Sequence, residues 1–309
     1  NFDMAQNVLL LHFDEALDDG SPIGNAVGGT ALGGFTAGRI GRALNDTAQG
    51  YVRTSVLGSG SAFNFGTESF SWSLWAKTTS ACPGNAVYMG IENPGTGLRP
   101  HLWLGCTPLN AADGGSSGTL GMNVCTRRVS KEEDCTNAEG AAVVTDGAWH
   151  HLAIVKEGHT PTKVSAYVDG KLQGSAQSTL KAPLVFEDGV EFAVGAFSRG
   201  DFPADGAFDE AAVWRRALSA AEVLALYRRG AQRLTFQVRA CEDSTCSNNP
   251  PFTGPGGDAA QAFSDPSQVL TPPVGLAVTA SGRFVQYKAH FESDDSAQSP
   301  TLYAVTLTR

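Results

Sequence analysis

The stretch DGAWHHLAIVKEGHTPTKVSAYVDGKLQG, residues 146–174, decides how this chain is read. It carries two apolar runs, HHLAIVK and KVSAYV, and the second ends in Asp169-Gly170. An Asp-Gly pair tolerates the left-handed backbone of a two-residue hairpin loop, so the spacing predicts strand, turn, strand and hairpin. The adjacent histidines raise the question of a metal or acid–base site. Neighbouring side chains on a strand point to opposite faces, so His150 and His151 cannot converge on one ion. A strand-borne metal pair would read His-x-His. Trp149 and His151 are expected on one face and His150 on the other, as the texture of a sheet.

Outward from this hairpin the same rhythm recurs. Short alternating or β-branched runs stand between turns: NVLLLHF, YVRTS, FSWSLWAK, AVYMG, LRPHLWLG, EFAVGAF and EAAVW. Gly, Asn and Asp punctuate them and no strand–helix–strand rhythm appears, which predicts an all-β sandwich. One helix is expected, over Ser219–Arg229. Ser219 and Glu222 have capping-box spacing, Val223, Leu224 and Tyr227 form an apolar stripe, Arg228 and Arg229 suit the C-terminal end, and Gly230 reads as the residue that ends it.

The whole chain fits that picture. Its 309 residues suffice for two domains, and 36 Gly and 15 Pro with 17% charged residues describe a turn-rich globular protein. The net charge of −9 repels phosphate backbones and anionic lipid, which excludes nucleic acid and membrane surfaces as expected partners. No apolar stretch is long enough for a transmembrane helix. NFDMAQNVLLLHFDEAL at the start has neither a basic region nor a cleavage site, so a signal peptide is expected to be absent or already removed.

Six cysteines, Cys82, Cys106, Cys125, Cys135, Cys241 and Cys246, have no Cys-x-x-Cys spacing of a metal site and suit three disulfides. Cys241 and Cys246 flank a short turn and are expected to pair. The other four allow three connectivities, of which the sequential one, Cys82–Cys106 with Cys125–Cys135, is adopted. Disulfides imply an oxidising compartment, hence an extracellular or cell-surface location.

After Gly230 the texture changes. Three strand candidates, LTFQVRA, RFVQYKAHFE and TLYAVTLT, flank a Pro/Gly/Asp-rich stretch from about residue 248 to 273. The expected organisation is a domain over residues 1–230 and a smaller β-sandwich over 231–309, helped by the Cys241–Cys246 staple.

The opening hairpin resembles the "Trp-His-His-apolar-Ala … Tyr-Val-Asp-Gly" signature of the laminin-G-like, concanavalin A-type jelly roll. AGRIGRALN at 37–45 followed by YVRTS, FSWSLWAK at 70–77 and FDEAAVWRRALSAAEVLALY at 208–227 are similar to further segments of that family, in order. The resemblance covers residues ~7–230 and implies two antiparallel sheets packed face to face with one short C-terminal helix. Residues 231–309 lie outside it and only loosely resemble β-sandwich modules of bacterial surface proteins.

The resemblance also implies a structural Ca²⁺ between the acidic loop after the first strand and the Asp of the closing Asp-Glu strand. The corresponding residues are Asp19, Ser21 and Asn25 in LDDGSPIGN and Asp209 in FDE, an oxygen-rich set of the kind calcium takes. Asp19-Gly20-Ser21, with Pro22 inserted, departs from the family's usual Asp-Ser-Ser-Gly-Asn.

Catalytic patterns are weak. Glu187-Asp188-Gly189-Val190-Glu191 lacks the alternate spacing of a glucanase carboxylate pair, and Gly189 reads as a turn. GGSSG at 114–118 matches Gly-x-Ser-x-Gly, but no strand-to-helix junction surrounds it. No enzyme is expected. Trp103, Trp214, Phe35 and Tyr88 are aromatic candidates for stacking on sugars, each with a core role as the competing reading, and residues 78–145 read as long disulfide-stapled loops suited to binding. The first reading is a recognition or adhesion module of a secreted or surface bacterial protein, binding glycan or protein. The alternatives are a self-associating subunit or spacer of an extracellular fibre or stalk, and an accessory domain of a glycoside hydrolase.

Overall fold

The fold is that of a computed structural model, which describes residues 2–30, 32–46, 50–55, 61–79, 82, 84–95, 99–108, 118–127, 133–263, 282–295, 299–302 and 304–306. Contacts divide the chain into two compact units, Phe2–Tyr227 and the remainder from Arg228 to Arg309.

In the first unit the apolar runs form two antiparallel sheets. The eight-stranded sheet contains β1 (Asn7–Leu11), β3 (Phe35–Ala37), β4 (Arg42–Asp46), β6 (Phe70–Lys77), β11 (Trp149–Glu157), β12 (Thr162–Val168), β13 (Lys171–Ser178) and β15 (Gly206–Trp214). Its order is β13-β12-β11-β6-β15-β4-β3, with β1 also pairing β15. The seven-stranded sheet contains β2 (Val27–Thr30), β5 (Tyr51–Ser55), β7 (Ala86–Glu92), β8 (His101–Pro108), β9 (Gly118–Arg127), β10 (Glu133–Asn137) and β14 (Glu191–Val194), in the order β10-β9-β8-β7-β14-β5-β2.

The core lies between the sheets because alternate residues from both face inward. Phe70, Trp72 and Leu74 of β6 and Leu152 and Ile154 of β11 meet Leu102 and Leu104 of β8, Val124 of β9 and Phe192 of β14 in one buried cluster. Trp72 packs edge-on against Phe192, ring centroids 5.0 Å apart, and Phe63 stacks on Phe192 at 5.0 Å. Such aromatic pairs add about 0.5–1.5 kcal/mol beyond their burial.

The opposite residues of the same strands face outward and are covered in their turn. Ala153 and Val155 of β11 join Trp214, Leu218 and Val223 in a second cluster under the helix α1 (Ala220–Ala231). Ser219 caps that helix with the expected reciprocal bonds: its backbone N–H donates to Glu222 Oε2 at 2.8 Å, and Glu222 N–H donates back to Ser219 Oγ at 3.3 Å. Gly230 does not end the helix as expected. It is an ordinary helical residue, and Ala231 leads straight into β16 (Gln232–Cys241) with no left-handed residue between.

Residues 78–145 hold strands where AVYMG and LRPHLWLG predicted them and also where stapled loops were expected. They contribute β7, β8, β9 and β10, four adjoining strands of the seven-stranded sheet. Cys125 and Cys135 are directly opposed on β9 and β10 and are bonded, as are Cys82–Cys106 and Cys241–Cys246.

The described part of the second unit holds a two-stranded ribbon, β16 with β17 (Phe284–Ser293). Leu234, Phe236, Val238 and Ala240 lie opposite Phe291, Ala289, Tyr287 and Val285, so one face of the ribbon is apolar. Residues 301–302 and 304–306, within the third strand candidate, are not in a strand.

Candidate functional site

The histidine pair sits as strand alternation requires. His151 is 1% exposed on the outer face of β11, its ring 5.4 Å from Trp75 and 6.4 Å from Tyr227, with Nε2 2.8 Å from Ser73 Oγ. Burial pushes its pKa down to about 4. His150 points to the other face. Burial would lower its pKa, but Asp169, 2.9 Å from Nδ1, and Asp146, 3.1 Å from Nε2, outweigh that and raise it. Asp169 also accepts the backbone N–H of His151 at 2.9 Å, tying the hairpin turn to the strand beside it.

The residues implied for calcium fall into two places. Asp19, Ser21 and Asn25 close on each other. Asp19 accepts from the N–H groups of Leu10, Ser21 and Asn25, from Ser21 Oγ–H and from Asn25 Nδ2, all between 2.6 and 2.9 Å. Burial would raise its pKa, but these hydrogen bonds outweigh burial and hold it below the ordinary value. This knot satisfies its own carboxylate. Asp209 is different. Its Oδ2 accepts from Arg39 N–H at 2.7 Å and Ile40 N–H at 2.9 Å, while Oδ1 is buried with no hydrogen-bond partner among the described residues.

Asp209 has other acids beside it. Burial, then the Glu210 charge and after it the Asp14 charge, drive its pKa well above the ordinary carboxylate value against those two N–H groups. Burial also raises Asp14, with Glu210 again contributing. Glu210 meets His12 Nδ1 at 2.6 Å. A cation would relieve the strain at Asp209, and hard oxygen donors with a buried open lone pair suit calcium. Asp209 Oδ1 offers such an oxygen, whereas the carboxylates of Asp209, Asp14 and Glu210 do not all gather within 4.8 Å of one another. Asp19, Ser21 and Asn25 shape the turn next to Leu10, whose strand partner is Ala212.

A concave site lies elsewhere, on the outer face of the seven-stranded sheet. Trp103, Phe197, Phe202, Asn85, Glu92, Arg99 and His101 line a cavity of about 320 Å³. Glycines make room for its rings. A Cβ at Gly121 would stand 3.1 Å from the Trp103 ring, and one at Gly90 would stand 2.8 Å from Phe197. Phe197 and Phe202 flank the tight turn after β14 and meet edge to face at 5.9 Å, leaving Phe202 51% exposed. Glu92 and Arg99 pair at 2.7 Å on the wall. Of the aromatic residues singled out in the sequence, Trp103 lines this cavity while itself buried with Val87 and Phe197, Trp214 and Tyr88 are core, and Phe35 packs against the core. Phe197, Phe202, Glu92, Arg99, His101 and Asn85 had not been singled out. Gly90 and Gly121 inside strands were the available signal, since strand glycine marks a close approach.

Only the first of the two catalytic patterns lies wholly within the described residues. Glu187-Asp188-Gly189 is a turn, with Gly189 at φ 78° and Val190 N–H donating to Glu187 O at 3.2 Å. Residues 114–117 of GGSSG lie outside the described residues, and Gly118 opens a strand.

Two facing sheets, one capped helix after the closing strand and the opening hairpin are joined by one further observation. A family model described as the concanavalin A-like lectin/glucanases superfamily, of laminin-G type, matches residues 46–224. The chain belongs to this superfamily. Among curated proteins no match is found. Among solved structures, domain 4 of an extracellular arabinanase of Geobacillus stearothermophilus, in complex with arabinotriose, is similar at 20% identity with a TM-score of 0.51. That match covers 72% of this chain and 98% of the arabinanase domain. The binding domain of the paraclostridial mosquitocidal protein 1 is similar at 12% identity and a TM-score of 0.53, over 78% of this chain and 62% of the other. At such identities these likenesses are of fold.

Proposed function

We propose that the chain is a non-catalytic recognition module of a secreted or surface protein, and that it binds glycan in the cavity beneath Phe202. The observation that carries this is the cavity's make-up: aromatic rings of Trp103, Phe197 and Phe202 beside the polar groups of Asn85, Glu92, Arg99 and His101. Rings present flat apolar faces to the C–H surfaces of a sugar, while the polar groups address its hydroxyls. The volume of about 320 Å³ suits a short stretch of saccharide. The arabinotriose complex of a domain with this fold supports the ligand class, and the three disulfides support an oxidising compartment.

The test is a glycan array followed by titration calorimetry on the best ligand. Trp103→Ala and Phe202→Ala should each weaken binding by roughly tenfold or more, about 1.4 kcal/mol. Phe202 is exposed, so its loss leaves the fold intact and its variant isolates binding. Absence of any glycan ligand, or wild-type affinity in both variants, overturns the assignment. Release of sugar from any polysaccharide by the chain would overturn its non-catalytic part.

Calcium belongs to the same proposal as a structural ion near Asp209. The support is the buried unpartnered Oδ1 and the raised pKa values of Asp209 and Asp14. A second reading, self-association, rests on the apolar ribbon face of the second unit, where Tyr287 is 45% and Phe291 49% exposed. Light scattering at rising concentration tests it, with Phe291→Ser expected to reduce any assembly.

A further inference from the structure

We propose that reduction of the Cys125–Cys135 disulfide converts it, with His101, into a three-ligand site for a thiophilic divalent metal such as Zn²⁺. Strand register carries the argument. His101 of β8 lies opposite Cys125 of β9, and Cys125 lies opposite Cys135 of β10. Directly opposed residues on antiparallel strands project from the same face, so the three side chains form a row on the outer face of the sheet. Their ligand atoms all lie within 4.8 Å of one another, the one such group of His, Cys, Asp or Glu among the described residues. In a tetrahedral zinc site the ligand atoms stand ~3.7 Å apart, so small side-chain rotations complete the shell once the sulfurs separate.

The histidine is prepared for this role. Its Nδ1 is 3.0 Å from the Arg99 carbonyl oxygen. A carbonyl only accepts, so Nδ1 carries the proton and Nε2 presents its lone pair. A histidine held through one nitrogen by a carbonyl is the usual outer support of a metal ligand. The nearby Arg99 charge is offset by Glu92 at 2.7 Å. Cys125 is buried and Cys135 reaches solvent, which gives a reductant access to one sulfur.

The chemistry balances with a dithiol as reductant. The disulfide takes two electrons and two protons and becomes two thiols, while the dithiol closes to its own disulfide. The metal then displaces both thiol protons and binds two thiolates and Nε2, with water in the fourth position. In the oxidised protein neither sulfur is a thiolate and the site is closed. His101 also lines the cavity described above, but the metal site does not depend on what that cavity binds.

The test uses the full chain, reduced with a water-soluble phosphine that leaves no competing thiol, and titrated anaerobically with Co²⁺. One equivalent should bind with a thiolate-to-cobalt charge-transfer band, and the oxidised chain should show none. The band should persist in the Cys241→Ser/Cys246→Ser variant, vanish in Cys125→Ser/Cys135→Ser, and need at least tenfold more metal in His101→Gln. As a second measurement, Zn²⁺ should protect Cys125 and Cys135 of the reduced chain from alkylation relative to Cys241 and Cys246. Persistence of the band in the Cys125→Ser/Cys135→Ser variant, indifference to His101→Gln, or equal alkylation of all thiols with zinc present each overturns the proposal.

Discussion

At the scale of single residues, the two adjacent histidines have opposite consequences for stability. His151 has its folded pKa depressed to about 4. Its contribution is therefore present above the unfolded value near 6.5 and is lost as pH falls toward 4, by about 3 kcal/mol over the whole interval. His150 is raised instead, so its contribution is complete below 6.5 and fades as pH rises through its folded value. Urea unfolding of His151→Gln at pH 7 should show a loss of about 1–3 kcal/mol, and a shallower decline between pH 6.5 and 4. An unchanged acid limb would mean that His151 is not buried as described. Asp209 carries the reverse sign: a carboxyl raised in the folded state loses stability as pH rises through that value. Asp209→Asn should accordingly melt higher than wild type in chelator at pH 7, yet gain nothing from calcium. Wild type should gain about 2.7 kcal/mol with calcium at 100 times Kd, roughly 5–10 °C. Identical melting of the wild type with chelator and with calcium would remove the ion from the account.

At the scale of elements, the β12–β13 hairpin shows how turn chemistry fixes register. Asp169 and Gly170 have φ of 51° and 72°, the two left-handed positions of the turn, with Val168 paired to Lys171. Gly170 is constrained twice, because a Cβ there would stand 2.8 Å from Leu224 of α1. Gly170→Ala should cost about 1–2 kcal/mol in chemical denaturation, more than backbone entropy alone would return. A neutral substitution would show that the helix can move away. The capping box of α1 was legible because it involves residues three apart in sequence. Its C-terminal end was not, since Gly230 marks a helix end only if the chain turns left-handed there, and here it runs straight on into β16.

At the scale of the molecule, the two compact units predict separable responses. Removing Cys241–Cys246 by paired serine substitution should lower the resistance of residues 228–309 to proteolysis by up to about 2–3 kcal/mol, with residues 2–227 unchanged. Equal loosening of both units would contradict their independence.

The sequence by itself determined the all-β class, the strands around residues 146–174, the turn at Asp169-Gly170 and the opposite facing of His150 and His151. Each follows from alternation or turn chemistry within a few residues, which local sterics enforce. Tertiary structure alone decided the rest. It added β9 and β10 to the strands already legible in AVYMG and LRPHLWLG and joined all four in one sheet, because pairing depends on partners that local sequence does not specify. It put Asp209 beside Asp14 and Glu210 and left Asp19 closed upon Ser21 and Asn25, since a carboxylate's partners come from whichever loops the sheet order brings near. The cavity required β7, β8 and the turn after β14 to adjoin, and the row from His101 to Cys135 required the register of three strands. Local patterns set which way a side chain points, but only packing of distant strands sets what it meets.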